Sequence, residues 1–262
     1  MHVLNAVVLD RQELSPYTLV LRVAPIGWEL PEFRPGQYAV LGLVASSPSR
    51  SGHPDEQSLV QRAYSIASGS RQRDHLEFCV TRIRSGELSP HLCELQPGDR
   101  LHLRPYFSGT FTLDRVPADQ HLVLIATGTG LAPYMSMLRT HLEARSGRNL
   151  AVVHGAHLVA DLAYRDEIEA TLRDHRHLSY HPVVSAPEPE ANWSGRVGRV
   201  QDVWRAHAIG THWGFEPSPA NTHVLLSGNP KMVDEMTVLL QAEGFRADRP
   251  GSAGEVHAER YW

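Results

Sequence analysis

Residues 61–68, QRAYSIAS, place a guanidinium at Arg62, an aromatic ring at Tyr64 and a hydroxyl at Ser65 in a short strand-like run whose apolar members are Ala63, Ile66 and Ala67. A guanidinium fork pairs with anions, a phenol ring stacks on a flat conjugated system, and a small hydroxyl hydrogen-bonds to a heteroatom. A half-buried strand tyrosine beside a solvated arginine is the plainer account of this stretch taken alone. ATGTGLAP at 126–133 supplies a second kind of chemistry. Gly128 and Gly130 let the backbone approach a ligand closely, leaving amide N–H groups to hold a pyrophosphate at the positive end of the following helix. Pro133 suits a first helical turn, where its missing N–H costs nothing. A tight strand-to-helix turn with no ligand explains that pattern almost as well. A second such turn, Gly228–Asn229–Pro230, follows another strand pattern, where a ligand crossing the sheet could also be touched. SGELSPHL at 85–92 has the form of a helix start, with Ser89 at the cap and Pro90 at the first position. It either begins a short helix and nothing more, or offers Gly86, the Ser89 hydroxyl and backbone amides to a second phosphate.

Two kinds of scaffold must position these groups. Up to about residue 115 the apolar residues come in short alternating runs, YTLVLRV at 17–23, QYAVLGLV at 37–44, HLEFCVTRI at 75–83 and DRLHLR at 99–104, separated by turns such as RPGQ and QPGD. Many short strands at this spacing predict an antiparallel barrel or sandwich. SSPSRSGHPDEQ at 46–57 reads as a flexible surface loop. From HLVLIA at 121–126 the pattern changes to a continuous apolar run of the kind buried on both faces of a parallel sheet. A helical pattern follows from Leu131 to about Arg145. Strand and helix then alternate: NLAVVHGA, DLAYRDEIEATLRDH, LSYHPVV, a helix near GRVQDVWRAHA, THVLLS and PKMVDEMTVLLQAEG. The expected architecture is a β-barrel over residues 1–115 followed by a doubly wound, parallel-sheet α/β domain over 116–262, with a ligand cleft between them.

Composition narrows the function. A formal charge of −4 and scattered basic residues argue against nucleic-acid binding. No run approaches the roughly 18 apolar residues of a membrane helix, and MHVLNAVVLD lacks a basic segment followed by an apolar one, so a cytoplasmic protein is expected. Cys79 and Cys93 are the only cysteines, too few for a four-thiolate iron–sulfur cluster. The 16 histidines show no metal-site spacing and read mostly as surface residues; no metal is expected.

RAYS in a barrel, then GELSPHL, GTGLAP, SGNPKMV and a terminal ERYW stand in the order seen in the ferredoxin–NADP(+) reductase family, and the chain most resembles its bacterial ferredoxin/flavodoxin branch that ends in Tyr-Trp. The resemblance spans essentially the whole chain. It implies an FAD-binding barrel and an NADP(H)- or NAD(H)-binding α/β domain, with hydride passing between nicotinamide C4 and flavin N5 and single electrons exchanged with a separate ferredoxin or flavodoxin. Carried over to this sequence, Arg62 and Ala63 would lie along the flavin phosphate, Tyr64 would stack on the isoalloxazine and Ser65 would hydrogen-bond near N5. Backbone from Cys79, Val80 and Thr81 would line the ring edge, and Gly86, Leu88 and Ser89 would hold the diphosphate. Thr127, Gly128, Thr129, Gly130 and Pro133, with Gly228 and Asn229, would serve the nicotinamide dinucleotide. Tyr261 would cover the flavin face as a displaceable gate and Trp262 would stack near the adenine.

Two departures stand out. Many members carry a cysteine before Gly-Asn-Pro beside the transferred hydride; here it is Ser227, which predicts slower transfer. Where relatives carry arginines for the 2′-phosphate, this chain offers His157 and Ala186, and then Arg196 with Arg199 nearby. A neutral imidazole serves a dianion poorly, which predicts a weakened NADPH preference with NADH also used. Competing readings are the NADH-dependent reductase component of an oxygenase and a flavin-binding subunit without activity. A monomer is expected, with Arg71, Arg73, Arg82 and Arg84 around a predicted hairpin as the candidate surface for an acidic carrier.

Overall fold

The computed structural model describes residues 4–46, 57–142, 147–188 and 192–261. The loop expected at 46–57 and the end of the helix expected near Arg145 fall largely outside them, as does Trp262.

Six strands build the first unit: β1 (Ala6–Glu13), β2 (Thr18–Pro25), β3 (Tyr38–Ser46), β4 (Gln57–Ser65), β5 (Leu76–Thr81) and β6 (Arg100–Leu103). They pair antiparallel in the order β4-β3-β6-β1-β2-β5. The sheet curls until its two edges meet just beyond β4, where the Ala67 N–H donates to the Glu77 carbonyl of β5 at 2.8 Å, so the expected barrel forms. Leu21, Leu41, Phe78, Leu101 and Leu103 fill its interior at 0 % exposure. The turn before β3 depends on Gly36, whose φ is +98 and whose Cβ position would collide with the Phe111 carbonyl.

The second unit is a six-stranded sheet of β7 (His121–Thr127), β8 (Leu150–Ala156), β9 (Leu178–Val184), β10 (Arg196–Val197), β11 (Thr222–Gly228) and β12 (Val256–Arg260), all parallel, in the order β10-β9-β8-β7-β11-β12. Leu122 to Ala126 of β7 are all buried, as the unbroken apolar run predicts for a strand covered on both faces. The chain runs outward from β7 to β10 and then returns to the other side of β7 as β11. Ligands of such sheets bind beyond the carboxyl ends of the strands at that reversal. Both glycine turns sit there, because Thr127 ends β7 and Gly228 ends β11.

Besides the single-turn α1 (Ser89–Leu92), the helices are α2 (Ala132–His141), α3 (Arg165–Thr171), α4 (Val200–Arg205), α5 (Ala208–Trp213) and α6 (Pro230–Ala242). The single helix expected near GRVQDVWRAHA is two, because His207 adopts φ 51 between α4 and α5. α3 is shorter than its pattern suggested, since Asp161 closes a separate 3-10 turn and Tyr164, at φ 58, delays the helix to Arg165, while it ends at Thr171. α2 locks the two units together. Ser136 Oγ donates to the Ser68 carbonyl at 2.6 Å, Thr140 Oγ1 accepts the Ser70 N–H at 2.9 Å, and Arg139 pairs with Glu77 of β5 at 2.7 Å and Glu167 of α3 at 2.6 Å. A second tie joins Asp161 to the hydroxyls of Ser15 and Thr18 at 2.5 and 3.2 Å. No described helix is long and apolar enough to cross a membrane.

Candidate active site

Two cavities adjoin where the barrel meets the carboxyl ends of β7 and β11. One, of about 720 Å³, is walled by Arg62, Ala63, Tyr64 and Ser65 of β4, by Cys79 and Thr81 of β5, by Gly86, Leu88 and Ser89, by Thr129, and by Glu259 and Tyr261 of the chain's last strand and end. The other, of about 430 Å³, is walled by Thr127 and Gly128, His157, Ser185, Arg199, Asn229 and Lys231 among others. Thr81 lines both. The glycine turn divides between them, Thr127 and Gly128 facing one and Thr129 the other. The residues singled out as ligand-holding in the two halves of the sequence are thus brought to one seam.

Close backbone approach builds that seam. A Cβ on Gly130 would collide with the Ser227 carbonyl and lie 2.7 Å from its carbon, and a Cβ on Gly228 would lie 2.5 Å from Thr127 Oγ1. The same Thr127 hydroxyl accepts the Asn229 N–H at 3.0 Å, while the Asn229 side chain caps α6 by accepting the Lys231 N–H at 2.9 Å. Pro133 is buried in the first turn of α2 and lines neither cavity.

At the seam's centre Tyr261 joins the two units. Its backbone N–H donates to the Gly228 carbonyl at 3.0 Å, and its hydroxyl lies 2.6 Å from Ser65 Oγ and donates to Glu259 Oε2 at 3.0 Å. Ser227 Oγ, fully buried at the end of β11, faces the same hydroxyl and completes no hydrogen bond of normal geometry. Burial raises the Glu259 carboxyl above its ordinary value against the opposing hydrogen bonds from Tyr261 and Ser65. Glu259 was missed by sequence reading, although it stands two residues before Tyr261, on the same face of β12. Burial also pushes the Tyr64 phenol up to about 12 and holds the Cys79 thiol protonated, which leaves Cys79 an inert wall.

Several expectations need correcting. Arg196 is exposed on β10 and lines neither cavity; Arg199, three residues on, lines the crevice instead. Ala186 is exposed and likewise lines neither cavity, whereas its neighbour Ser185 does and shares a 3.2 Å contact with His157 Nδ1. Val80 turns its side chain into the barrel core at 0 % exposure, which leaves only its backbone for the expected contact and contradicts nothing in that expectation. Ser89 does not cap a helix with its side chain: α1 begins at Ser89 itself, and Ser89 Oγ accepts the Ile83 N–H at 3.0 Å, holding the cavity wall closed around Gly86. Arg62 is paired with Glu87. The four arginines expected to form one surface lie at opposite ends of β5, Arg82 and Arg84 just past Thr81 by the cavity and Arg71 and Arg73 before Leu76, because the six extended residues of β5 hold the two pairs about 20 Å apart. Nor are the histidines all superficial. His154 is fully buried against the Tyr180 hydroxyl at 3.2 Å, and burial pulls its pKa down to about 4.

The donor set fits a flavin and a dinucleotide. The larger cavity offers a ring face, a ring-edge hydroxyl and a glycine-shaped wall; in the smaller, Gly128 at φ +53 has open space where a Cβ would stand. Ser227 Oγ is buried at the end of β11 and lines neither cavity. Fold and site together define a two-domain oxidoreductase that binds both cofactors across one seam. Family models agree: residues 33–111 match an oxidoreductase FAD-binding domain and residues 124–237 an oxidoreductase NAD-binding domain. A ferredoxin–NADP reductase of Pseudomonas aeruginosa is 31% identical over 238 residues, covering 87% of this chain and 86% of that protein. The flavodoxin/ferredoxin–NADP reductase of Escherichia coli is 32% identical over 232 residues, covering 88% of each chain. A ferredoxin NADP+ reductase from Neisseria gonorrhoeae, solved with bound FAD and NADP, superposes with a TM-score of 0.79 at 22% identity, over 98% of this chain and 97% of that one. The chain belongs to the ferredoxin/flavodoxin–NADP reductase family and is an FAD-dependent NAD(P)H oxidoreductase.

Proposed function

We propose that the protein takes hydride from NADPH, and less efficiently from NADH, and passes single electrons to a ferredoxin or flavodoxin. The observation that carries this reading is that the two cavities meet at Thr81, with the Ser65–Tyr261–Glu259 cluster in the wall of the larger one. The names of the relatives support the carrier class.

Bound FAD supplies the exchange of a hydride for single electrons. The chain supplies position, exclusion of water and a proton-holding group. Arg62 would turn from Glu87 to a flavin phosphate; both partners are about half exposed or more, so the lost surface pair is worth about 0–1 kcal/mol and the exchange is easy. Tyr64 would present its ring to the isoalloxazine and Ser65 its hydroxyl to the reacting edge, with Leu88 and Cys79 keeping water out. When nicotinamide enters, the Tyr261 ring would move aside, freeing the Ser65 hydroxyl and leaving Glu259 to hold a proton beside it at a pH where an ordinary carboxyl is ionised. For the 2′-phosphate, Arg199 is the cation whose guanidinium has no ion pair among the described residues, whereas Lys231 faces Glu235 at 3.9 Å and Arg205 faces Asp202 at 3.6 Å. One free guanidinium supports a modest NADPH preference, under about a hundredfold.

Anaerobic titration of the FAD-loaded protein, followed by carrier reduction coupled to cytochrome c, tests the reading. Bleaching by either nucleotide with carrier-dependent turnover is expected. No bleaching sinks the reductase assignment; bleaching with neither carrier turned over removes the carrier and leaves the oxygenase-component reading in its place.

A further inference from the structure

A third cavity, of about 550 Å³, lies at the opposite end of the parallel sheet, where β7 and β8 begin. Leu124, its lining residue furthest along β7, stands three residues before Thr127 of the nucleotide crevice, about 10 Å at the rise of an extended strand. The third cavity shares no lining residue with either of the other two. Its floor is apolar: Leu122 and Leu124 of β7, Met137 and Leu138 of α2, and Leu150 of β8. Its rim carries Arg34, His141, Arg148 and His177, with Asp114 as the single carboxylate among the described lining residues.

The rim charges are unevenly matched. Asp114 is committed to Arg34 at 2.5 Å and also accepts the Thr112 hydroxyl at 3.0 Å. Arg148 is half-buried, and among the described residues no carboxylate pairs with it. The Leu150 N–H donates to the His177 carbonyl at 2.8 Å, which holds His177 beside Leu150 at the entrance to β9. Partial burial and then the like charges of Arg148 and Arg71 pull the His141 pKa down, with Asp114 opposing, which keeps that imidazole neutral and leaves Arg148 as the rim cation that no described carboxylate meets. A partly desolvated guanidinium above a leucine floor is unfavourable until an anion meets it. Guanidinium geometry suits a carboxylate, which it grips through two parallel hydrogen bonds.

We propose that this cavity binds a small monocarboxylate with an apolar body, its head on Arg148 beside His141 and its body on the leucine floor. A volume of about 550 Å³ falls within the range of small-molecule sites, and an apolar lining with a few convergent polar groups is their usual chemistry. The site is independent of the hydride-transfer seam and does not rest on the carrier assignment.

Octanoate is the probe, titrated calorimetrically into the FAD-loaded protein alongside acetate, which keeps only the head, and octan-1-ol, which keeps only the body. One octanoate per chain is expected, bound at least about tenfold more tightly than either control. Arg148→Gln should weaken octanoate at least about tenfold and leave octan-1-ol unchanged. Leu142→Trp, which fills the cavity from its half-buried wall, should abolish binding of both while the flavin spectrum and its bleaching by NADPH stay as in the parent. Should Arg148→Gln not fold, the Leu142→Trp comparison decides alone. The proposal is overturned by the absence of saturable octanoate binding at millimolar concentration, by acetate binding as tightly as octanoate, or by octanoate binding unchanged in either folded variant.

Discussion

Replacing Gly130 with alanine would drive a Cβ into the Ser227 carbonyl, 2.7 Å from its carbon and 2.8 Å from Gly228 Cα. An ordinary carbon contact needs about 3.5 Å, so β11 and the turn after β7 must part by nearly 1 Å. All the offending atoms are backbone at the end of a buried strand. The expected loss therefore lies at the upper end of the overpacking range, about 3 kcal/mol, or about 6–12 °C in Tm for a chain of this size. Gly128→Ala, two residues earlier, should behave differently. Gly128 has φ +53 and nothing within 4 Å of its would-be Cβ, so the change adds only left-handed strain of about 1–2 kcal/mol. Its methyl, however, would occupy open crevice space where a dinucleotide backbone must pass. Gly128→Ala should accordingly raise the KM for NADPH about tenfold or more with a small fall in Tm, and Gly130→Ala should give the larger fall in Tm. Thermal unfolding followed by flavin fluorescence and steady-state ferricyanide reduction read the two effects. The reasoning fails if Gly130→Ala unfolds within about 2 °C of the parent, or if Gly128→Ala is the less stable of the two.

Arg139→Gln removes a guanidinium that meets Glu77 and Glu167 at once, leaving Glu77, at 5 % side-chain exposure, with Arg22 alone; denaturant unfolding should show a loss of about 3–5 kcal/mol. The folded-state pKa of Glu259 lies above its ordinary 4.5, so the stability it contributes is full below that value and lost as pH rises through the raised one. The Tm of the parent should thus fall with pH across that window while Glu259→Gln stays flat; parallel profiles would remove Glu259 as a buried proton holder. Arg199→Ala should lower kcat/KM for NADPH about tenfold and leave NADH within about twofold, whereas Arg196→Ala should leave both unchanged, a contrast that steady-state kinetics with the two nucleotides measures directly.

The architecture was legible because period and burial coincide. β7 and β9 begin where their apolar runs begin, and the glycine turns could fall only at strand ends. What escaped was whatever depends on the ends of strands and not on their faces. β1 and β12 have weak alternation, AVVLDRQE with its charges clustered late and VHAER with two, and neither announced itself. Arg71 and Arg73 do not join Arg82 and Arg84 in one surface, because the extended length of β5 lies between the two pairs.

The same limit explains the site. Ser65, Ser227 and Tyr261 were named as separate motif members, and each reading assigned a contact to a cofactor. In the folded chain Ser65 and Tyr261 address each other first, through a hydroxyl cluster that Glu259 completes, with Ser227 facing it. A motif shows which atoms a ligand would touch; only the fold shows what those atoms touch in its absence. Tyr261 satisfies Ser65 and Glu259 now, so a nucleotide that displaces it must compensate both, each hydrogen bond being worth about 1 kcal/mol net and more where a buried group is left unpaired. On the proposed reading, affinity for the nicotinamide would be set against that cluster, which would make Glu259, invisible to motif reading, as much a determinant of entry to the seam as the glycine turn proposed to hold the phosphates.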